Sequence, residues 1–178
     1  MKKFMVLSGI GPDRTGLVDD VASFLALRNL NIEDSRMAVL GGEFALILLA
    51  SGEESSVKAI RKSLPELEKN TGLAFSLKQT ETPSKGTQAP AMPFHLHATG
   101  MDHPGIVHEI TKILHANQIN IESLETHTGS APVSGTPIFS MRCVLSVPAT
   151  IKIADLRRDL EEIAEAMNMD VNFEPEVD

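Results

Sequence analysis

The pattern of hydrophobic and polar positions along this chain switches between the period of a strand and the period of a helix. Residues Phe4–Ser8 form a short apolar run that ends at Gly9 and Gly11, which predicts a buried strand followed by a turn. Beyond the turn, apolar side chains recur at helical spacing, so we expect a helix there. Its apolar face is formed by Leu17, Val18, Val21, Ala22 and Leu25.

Three more strands and a second helix complete the first half of the chain. A helix is expected from Val57 to Leu67, with Ser55 or Ser56 as its N-cap and a break or restart at Pro65. The dipeptide Gly41-Gly42 is typical of a tight hairpin turn. The strands are predicted at Ile32–Leu40, Phe44–Ala50 and Leu73–Lys78.

The sequence then repeats itself at an offset of 89 residues. Residues 4–35 align without a gap with residues 93–124, and nine of these 32 pairs are identical, against about two expected by chance. Two copies are too few for a solenoid, so the repeat predicts two similar domains. The best-matched stretches are Gly11–Val18 with Gly100–Val107, and Leu30–Glu33 with Ile119–Glu122.

The second copy has the same order of predicted elements as the first. Its hairpin is longer, because Gly129–Pro137 replaces the Gly-Gly turn. Each copy reads strand, helix, strand, strand, helix, strand, which predicts a ferredoxin-like α+β sandwich with two helices on one face of an antiparallel sheet. The elements of the second copy are expected at Phe94–Ala98, Ile106–Ala116, Ile121–Thr128, Ile138–Val147, Ala154–Met167 and Asp170–Phe173.

The segment between the copies has the composition of a linker. It contains three prolines, a glycine and small polar residues, which favour a semi-extended chain. We therefore expect a first domain at residues 1–79, a linker at 80–93 and a second domain at 94–178.

Composition and charge exclude several classes of protein. The chain has 42% hydrophobic residues, no apolar run long enough to cross a membrane, and an apolar N-terminal stretch too short for a signal peptide. The single cysteine, Cys143, cannot form an internal disulfide, so a reducing compartment, the cytoplasm, is expected. The net charge of −8 comes entirely from residues 93–178, while residues 1–79 are neutral. With no Trp and no Tyr either, direct nucleic-acid binding and membrane association are disfavoured.

The strand-to-helix segment carries a motif in both copies. A strand that ends in G-x-D-[RH]-x-G-[LI]-V, with N-I at the start of the next strand, resembles the ACT domain. Two such copies joined by a Pro-containing linker are similar to the glycine cleavage system transcriptional repressor family. This resemblance implies amino-acid sensing at the strand-to-helix loop. It also implies regulation through a partner transcription factor rather than through DNA.

The residues of the motif can bind both charged ends of an amino acid. A helix N-terminus binds a carboxylate, and Asp or Asn oxygens accept hydrogen bonds from an ammonium group. Capping by Asp13 or Asp102, and Pro104 in a first helical turn, explain part of the same pattern, so both interpretations stay open. The copies also differ, since His103 stands where the first has Arg14, and one copy alone can be the binding one. The candidate ligand-binding residues are Gly11, Asp13, Arg14, Gly16, Leu17, Asn31 and Ile32 in the first copy, and Gly100, Asp102, His103, Gly105, Ile106, Asn120 and Ile121 in the second.

The sequence gives little support for a catalytic site or a metal-binding site. All six histidines fall in the second copy, but the pairs His95–His97 and His108–His115 lie on different predicted elements, so no metal site and no cofactor are expected. His95 and His97 share one face of a strand, where an interface would make them sensitive to protonation. There is no phosphate loop, no dinucleotide-binding motif and no nucleophile elbow. Cys143 lies inside an apolar strand, which is typical of an inert thiol.

These observations lead to one main hypothesis and two alternatives. The main hypothesis is a cytoplasmic, amino-acid-responsive regulator of glycine cleavage genes, with no enzymatic activity. It binds a small amino acid, glycine in the first instance, and a partner transcription factor. Its open sheet edges are expected to pair between the two domains or between chains, and a homodimer is expected. The alternatives are a sensor or regulatory subunit for another amino-acid pathway, and an interaction scaffold that binds no ligand.

Overall fold

Each half of the chain folds into one antiparallel sheet covered on one face by two helices. The computed structural model describes residues 2–81 and 90–176, and its contacts divide them into two units, one on each side of this gap. The strand orders are β2-β3-β1-β4 in the first unit and β6-β7-β5-β8 in the second. Because the two orders are identical, the predicted repeat of a ferredoxin-like α+β fold is confirmed. We call the units domain 1 and domain 2.

The elements of both domains follow the predicted order. The first domain contains β1 (Lys2–Pro12), α1 (Leu17–Ala26), β2 (Asn31–Leu40), β3 (Glu43–Glu53), α2 (Glu54–Thr71) and β4 (Ala74–Thr80). The second contains β5 (Ala91–Met101), α3 (Ile106–Ala116), β6 (Asn120–Ser130), β7 (Pro137–Pro148), α4 (Ile153–Ala166) and β8 (Met169–Pro175). Of the linker predicted at 80–93, Thr80 and residues 91–93 lie in strands, and residues 82–89 lie outside the described residues.

Each domain has its own hydrophobic core between the sheet and the helices. Alternate residues of the central strands point toward the helices, as a period of two requires. In domain 1 the fully buried side chains include Met5, Leu7 and Leu48 from the sheet and Val21, Leu25, Ile60 and Leu67 from the helices. In domain 2 the corresponding core includes Leu96, Met141, Leu145, Ile110, Leu114 and Leu160.

The predicted helix caps are wrong. Helices α1 and α3 begin after Gly16 and Gly105, whose φ angles are 90° and 101°, and neither N-cap is supported by a side-chain hydrogen bond. Asp13 and Asp102 therefore do not cap these helices. A left-handed residue is needed where the chain turns from strand to helix, and glycine adopts that conformation without a Cβ clash. Pro104 precedes the N-cap and lies outside the helix.

Helix α2 also differs from its prediction, because it is continuous. It begins after Glu53, which places Ser55 and Ser56 inside the helix rather than at its N-cap. Pro65 lies within it without a break. Pro65 is exposed, so water can reach the carbonyl that its missing N–H leaves without a partner. Buried Ile60 and Leu67, on either side of Pro65, pack on one core and hold the two halves of the helix in line.

The hairpins differ between the domains as the sequence predicts. In domain 1, Gly41 and Gly42 both have positive φ and form a two-residue turn of the kind that matches strand twist. In domain 2 the strands are joined by residues 131–136, a loop closed by hydrogen bonds between Ala131 and Thr136 and between Gly135 and Ala131.

Candidate functional site

Two glycines shape the turn between β1 and α1, and each is required for a different structural reason. A Cβ on Gly11 would lie 2.8 Å from the carbonyl oxygen of Gly72 and 3.1 Å from the Cα of Leu73, so glycine lets β1 pass close to the α2–β4 turn. Gly16 is required by its positive φ. The equivalent glycines of domain 2 repeat this, since a Cβ on Gly100 would lie 2.6 Å from Met169 Cγ. The repeated glycines of the motif are thus explained by backbone geometry alone.

Arg14 braces the turn against both helices of domain 1. Its guanidinium donates hydrogen bonds to the Asp20 carboxylate at 2.7 Å, to the carbonyl of Asn70 at 2.9 Å and to the carbonyl of Thr15 at 3.1 Å. The first two partners lie in α1 and in the last turn of α2. These three hydrogen bonds engage the guanidinium and tie the turn to both helices. Arg14 therefore holds the turn in position.

A concave site of about 650 Å³ opens beside this turn. Its wall is mainly apolar, and it brings together the end of β1, the first turns of α1, the end of β2 and the start of β3. Phe44 reaches it because β3 pairs with β1 so that Phe44 lies opposite Gly11. The lining residues are Asp13, Arg14, Gly16, Leu17, Val18, Asp19, Ala22, Val39 and Phe44.

The polar groups of the concavity carry both signs of charge. The first helical hydrogen bond of α1 runs from the Asp20 amide to the Gly16 carbonyl, and no side chain caps the amides of Leu17, Val18 and Asp19. Uncapped amides at a helix N-terminus attract an anion. The carboxylates of Asp13 and Asp19 line the same concavity and attract a cation. The site is therefore suited to a small molecule that carries both charges.

Comparison with known proteins now places this fold. The sequence profile described as "ACT domain" matches residues 3–78 and 94–174, which is most of the chain. The chain belongs to the ACT domain family. The glycine cleavage system transcriptional repressor of Escherichia coli is 26% identical over 167 residues, covering 93% of this chain and 86% of that protein. A UPF0237 protein of Methanopyrus kandleri is 41% identical over 64 residues, covering 36% of this chain and 70% of its own length.

Solved structures share the tandem architecture. A protein of unknown function from Galdieria sulphuraria superposes with a TM-score of 0.82 at 29% identity, covering 99% of this chain and 100% of its own. A structure described as a candidate glycine cleavage system transcriptional repressor has a TM-score of 0.73 at 24% identity and covers 100% of this chain and 99% of its own. This second likeness establishes the fold only.

The first ACT domain does not bring all its predicted site residues together. Asn31 lies opposite Ser51 of β3, which in turn lies opposite Phe4 near the start of β1. The Gly11–Gly16 turn follows the other end of β1, about 26 Å away at the rise of a strand. Helix α1 carries the chain back across the sheet before β2 begins, so a small amino acid cannot touch both places within one domain. Asn120 lies at the equivalent end of domain 2, opposite Ser146.

A hydrogen-bonded cluster surrounds Asn31 instead. The Glu33 carboxylate accepts hydrogen bonds from the ammonium of Lys2 at 2.8 Å, from the Ser51 hydroxyl and from the Asn31 amide at 3.1 Å. Lys2 first, and then Ser51 and Asn31, lower the pKa of Glu33 to about 2. Glu33 lies at a bulge in β2, and β6 has its bulge at the equivalent Glu122.

The remaining predicted residues have structural surroundings. Ile32 and Ile121 are half-buried and pack on the cores, and Leu17 and Ile106 are themselves buried at the first helical positions. His103 is exposed, and its Nδ1 lies 3.1 Å from the carbonyl oxygen of Pro104. Thus the turn of the second ACT domain lacks the brace that Arg14 gives the first.

Other reactive groups form no site in the described part of the chain. Within residues 2–81 and 90–176 no three His, Cys, Asp or Glu side chains are grouped to hold a metal ion. Cys143 is buried in β7, and burial raises the pKa of its thiol to about 11. No helix in the described ranges is long and apolar enough to span a membrane.

Five of the nine lining residues of the concavity were not predicted as site residues. Val18 ends the motif, and Asp19 and Ala22 follow it in α1. Val39 and Phe44 come from strands that are distant from the motif in sequence. The Gly41-Gly42 turn was the available signal, because a two-residue turn fixes the register of β2 and β3 and places these side chains near the same end of the sheet.

Proposed function

We propose that this chain is an amino-acid-responsive regulator that represses glycine cleavage genes through a partner transcription factor. The proposal is supported by its similarity to the Escherichia coli glycine cleavage system transcriptional repressor along 93% of the chain. The observation that carries the sensing function is the concavity at the β1–α1 turn, which combines uncapped helix amides with two carboxylates. The homodimeric state and the cytoplasmic location belong to this proposal.

The concavity of domain 1 offers separate partners for the two ends of a zwitterion. The ligand carboxylate lies at the amides that open α1, and the ammonium group lies at Asp13 or Asp19. A ligand side chain points toward the apolar wall formed by Val18, Val39 and Phe44. Domain 1 is the better candidate of the two, because Arg14 holds its turn in place and no equivalent brace is seen at His103.

Calorimetry with glycine, serine and alanine tests this function. Glycine has five heavy atoms, and at about −1.5 kcal/mol per atom its dissociation constant is no tighter than a few micromolar. The double variant Asp13→Asn/Asp19→Asn, which removes both candidate carboxylates, should weaken binding about tenfold or more, since a hydrogen bond to a charged group contributes about 1.5–3 kcal/mol. Asp102→Asn in the sister turn is the matched control and should leave binding unchanged. Equal losses in both variants would contradict the assignment to domain 1.

The charge of the chain supports the proposed regulation through a protein partner rather than through DNA. The net charge of −8 opposes the phosphate backbone, and the described residues form two α+β domains without a helix-turn-helix. The purified protein should not shift promoter DNA by itself, but it should do so when the partner transcription factor is added. A salt-sensitive, sequence-specific shift by this protein alone would refute the partner mechanism.

A second candidate function is sensing of a larger amino acid. The specific observation is the size of the concavity, about 650 Å³, and its apolar wall, both of which exceed what glycine can fill. A thermal-shift panel of the twenty amino acids separates the two, because a ligand that binds the folded state raises the unfolding temperature. Stabilisation by leucine or another apolar amino acid above glycine selects the second candidate. No stabilisation by any amino acid would leave the ligand-free scaffold.

A further inference from the structure

The two domains share one topology, yet the sheet faces that their helices leave uncovered differ in chemistry. In domain 1 the central side chains of this face are apolar or small, and Ile10 and Ile47 are 56% and 51% exposed. We call it the open face of domain 1. Its central residues are Val6, Ser8 and Ile10 of β1, Ala45, Ile47 and Leu49 of β3, Ala38 of β2, and Ala74 and Ser76 of β4.

Domain 2 shows that the fold does not require an apolar surface there. His95, His97 and Thr99 stand in β5 where β1 has Val6, Ser8 and Ile10. Arg142 stands in β7 where β3 has Ile47, since Phe44 and Phe139 lie opposite the equivalent glycines of the two sheets. The same sheet thus forms with histidine and arginine on its open face. The apolar residues of domain 1 therefore serve a purpose other than folding.

The strand register arranges the open face of domain 1 in rows that run across the sheet from β2 through β3 and β1 to β4. Side chains directly opposite each other in an antiparallel sheet lie on the same face, so each row can be read from the pairing. Three rows decide the argument. They are Asp34–Leu49–Val6–Lys78, Arg36–Ile47–Ser8–Ser76 and Ala38–Ala45–Ile10–Ala74.

We propose that this open face binds the same face of a second copy of the chain, with a twofold axis parallel to the strands. Such an axis places β2 over β4 of the other copy and β3 over β1, so that each row meets itself in reverse order. The two sheets then pack face to face, as in sandwiches whose strands are nearly aligned. The partner is a second molecule of this protein, bound through the sheet face rather than the sheet edges.

The rows are complementary to themselves under this operation. Asp34 meets Lys78 of the other copy, so two opposite-charge pairs form at the two edges of the interface. In the two other rows Ile47 meets Ser8 and Ile10 meets Ala45, so each isoleucine faces a small side chain, while Leu49 meets Val6 in an apolar contact. The Asp34 carboxylate uses Oδ1 for its hydrogen bonds to Arg36, at 2.6 Å, and to the Ser35 amide, at 2.8 Å. Among the described residues, Oδ2 accepts no hydrogen bond.

The area of the face fits a weak but specific dimer. The next row on the same face is Asn31–Ser51–Phe4–Thr80, which makes four rows about 6.7 Å apart. With four strands about 4.8 Å apart, these rows cover roughly 500 Å² on each copy. Two copies bury about 1,000 Å² together, which is the lower limit for a specific interface. The dimer is therefore expected to form over the micromolar range of protein concentration.

Sedimentation velocity on the full chain tests the interface. The wild-type protein should pass from 19.3 kDa toward twice that mass as its concentration rises. Ile47→Arg, which copies Arg142 of domain 2, should stay monomeric with an unchanged circular dichroism spectrum. Leu27→Arg is the matched control, because Leu27 is the C-cap of α1 and 82% exposed, and this variant should dimerise like the wild type. A wild type that is monomeric throughout, or an Ile47→Arg variant that dimerises normally, would overturn the proposal.

Charge reversal tests the orientation. Asp34→Lys and Lys78→Glu should each weaken self-association about tenfold, because each sets like charges against each other across the interface. An equimolar mixture of the two variants should associate as well as the wild type. In the mixed dimer the introduced lysine meets the introduced glutamate, and the unchanged Asp34 of one copy meets the unchanged Lys78 of the other. A mixture that associates no better than either variant alone would refute this packing. Ile47 lies on the inner strand β3, so an edge-to-edge dimer through β2 or β4 would be insensitive to Ile47→Arg.

Discussion

Replacing Gly11 by alanine places a methyl group against backbone that has no room for it. The new Cβ would lie 2.8 Å from the Gly72 carbonyl oxygen and 3.1 Å from the Cα of Leu73, about 0.6 Å and 0.3 Å closer than ordinary contact. Leu73 is fully buried, and β1 is held between β3 and β4, so neither side can move freely. We expect the variant to lose about 2 kcal/mol of unfolding free energy, the middle of the range for overpacking. In a domain of this size that is roughly 8–16 °C in Tm.

The sister glycine supplies the comparison. In Gly100→Ala the nearest atom is Cγ of Met169, at 2.6 Å, and the next contacts lie at 3.1 Å. A methionine side chain has several rotatable bonds and adjusts to a new neighbour more easily than backbone does. Gly100→Ala should therefore cost about half as much as Gly11→Ala, about 1 kcal/mol.

Circular dichroism during urea and thermal unfolding is the assay, because the chain has no Trp and no Tyr to report by fluorescence. Hydrogen exchange by peptide mass spectrometry then reads the two domains separately. The reasoning is wrong if Gly11→Ala stays within about 0.5 kcal/mol of the wild type, the range of a neutral surface substitution. It is also wrong if Gly100→Ala is the more destabilising of the two.

Three further predictions concern single groups. Gln118 follows α3 with a φ of 55°, so Gln118→Gly should stabilise domain 2 by about 0.5 kcal/mol while Gln118→Ala does not, as thermal unfolding of both will show. Cys143 is buried with a pKa of about 11, so its thiol should react with a disulfide reagent at about pH 8 only after unfolding, and rapid labelling of the native protein would contradict this. Because folding lowers the pKa of Glu33 to about 2, its carboxylate stabilises the protein above the ordinary pKa of 4.5, and that contribution is lost as the pH falls toward 2. Ser51→Ala removes one of the hydrogen bonds responsible and should raise the pKa of Glu33 measured by NMR.

The order of elements could be read from the sequence because each domain buries one sheet face under two amphipathic helices. The spacing of apolar residues reflects that burial directly, and the second copy allowed every element to be predicted twice. The predictions were wrong where a rule about local sequence was overridden by contacts with the rest of the domain. Pro65 was expected to break or restart α2, but the helix continues through it, with core residues on both sides. Asp13 was a candidate cap of α1, but the turn required a left-handed residue, which Gly16 provides.

The candidate site was harder to predict because its residues come from three strands and a helix. The motif predicted the position of the turn. The turn by itself places only Asp13, Gly16 and Leu17 at the site. It could not show that Asn31 begins its strand at the other end of the sheet, because that depends on where α1 returns the chain. Nor could it show Phe44 beside the turn, because that depends on the register between β1 and β3.

The comparison between the two copies separates what the fold needs from what function adds. The glycines at 11 and 100, the left-handed residues at 16 and 105 and the bulges at Glu33 and Glu122 occur in both copies, and backbone geometry accounts for each of them. A feature that the fold itself demands gives no information about a ligand, even when it belongs to a family motif. The differences are informative for the opposite reason, since two sheets with the same strand order tolerate either choice. Domain 1 has a braced turn at Arg14, and it has Ile47 on its open face where domain 2 has Arg142. These two differences are the reason we propose domain 1 as the half that binds an amino acid at its turn and a second copy of the chain on its sheet.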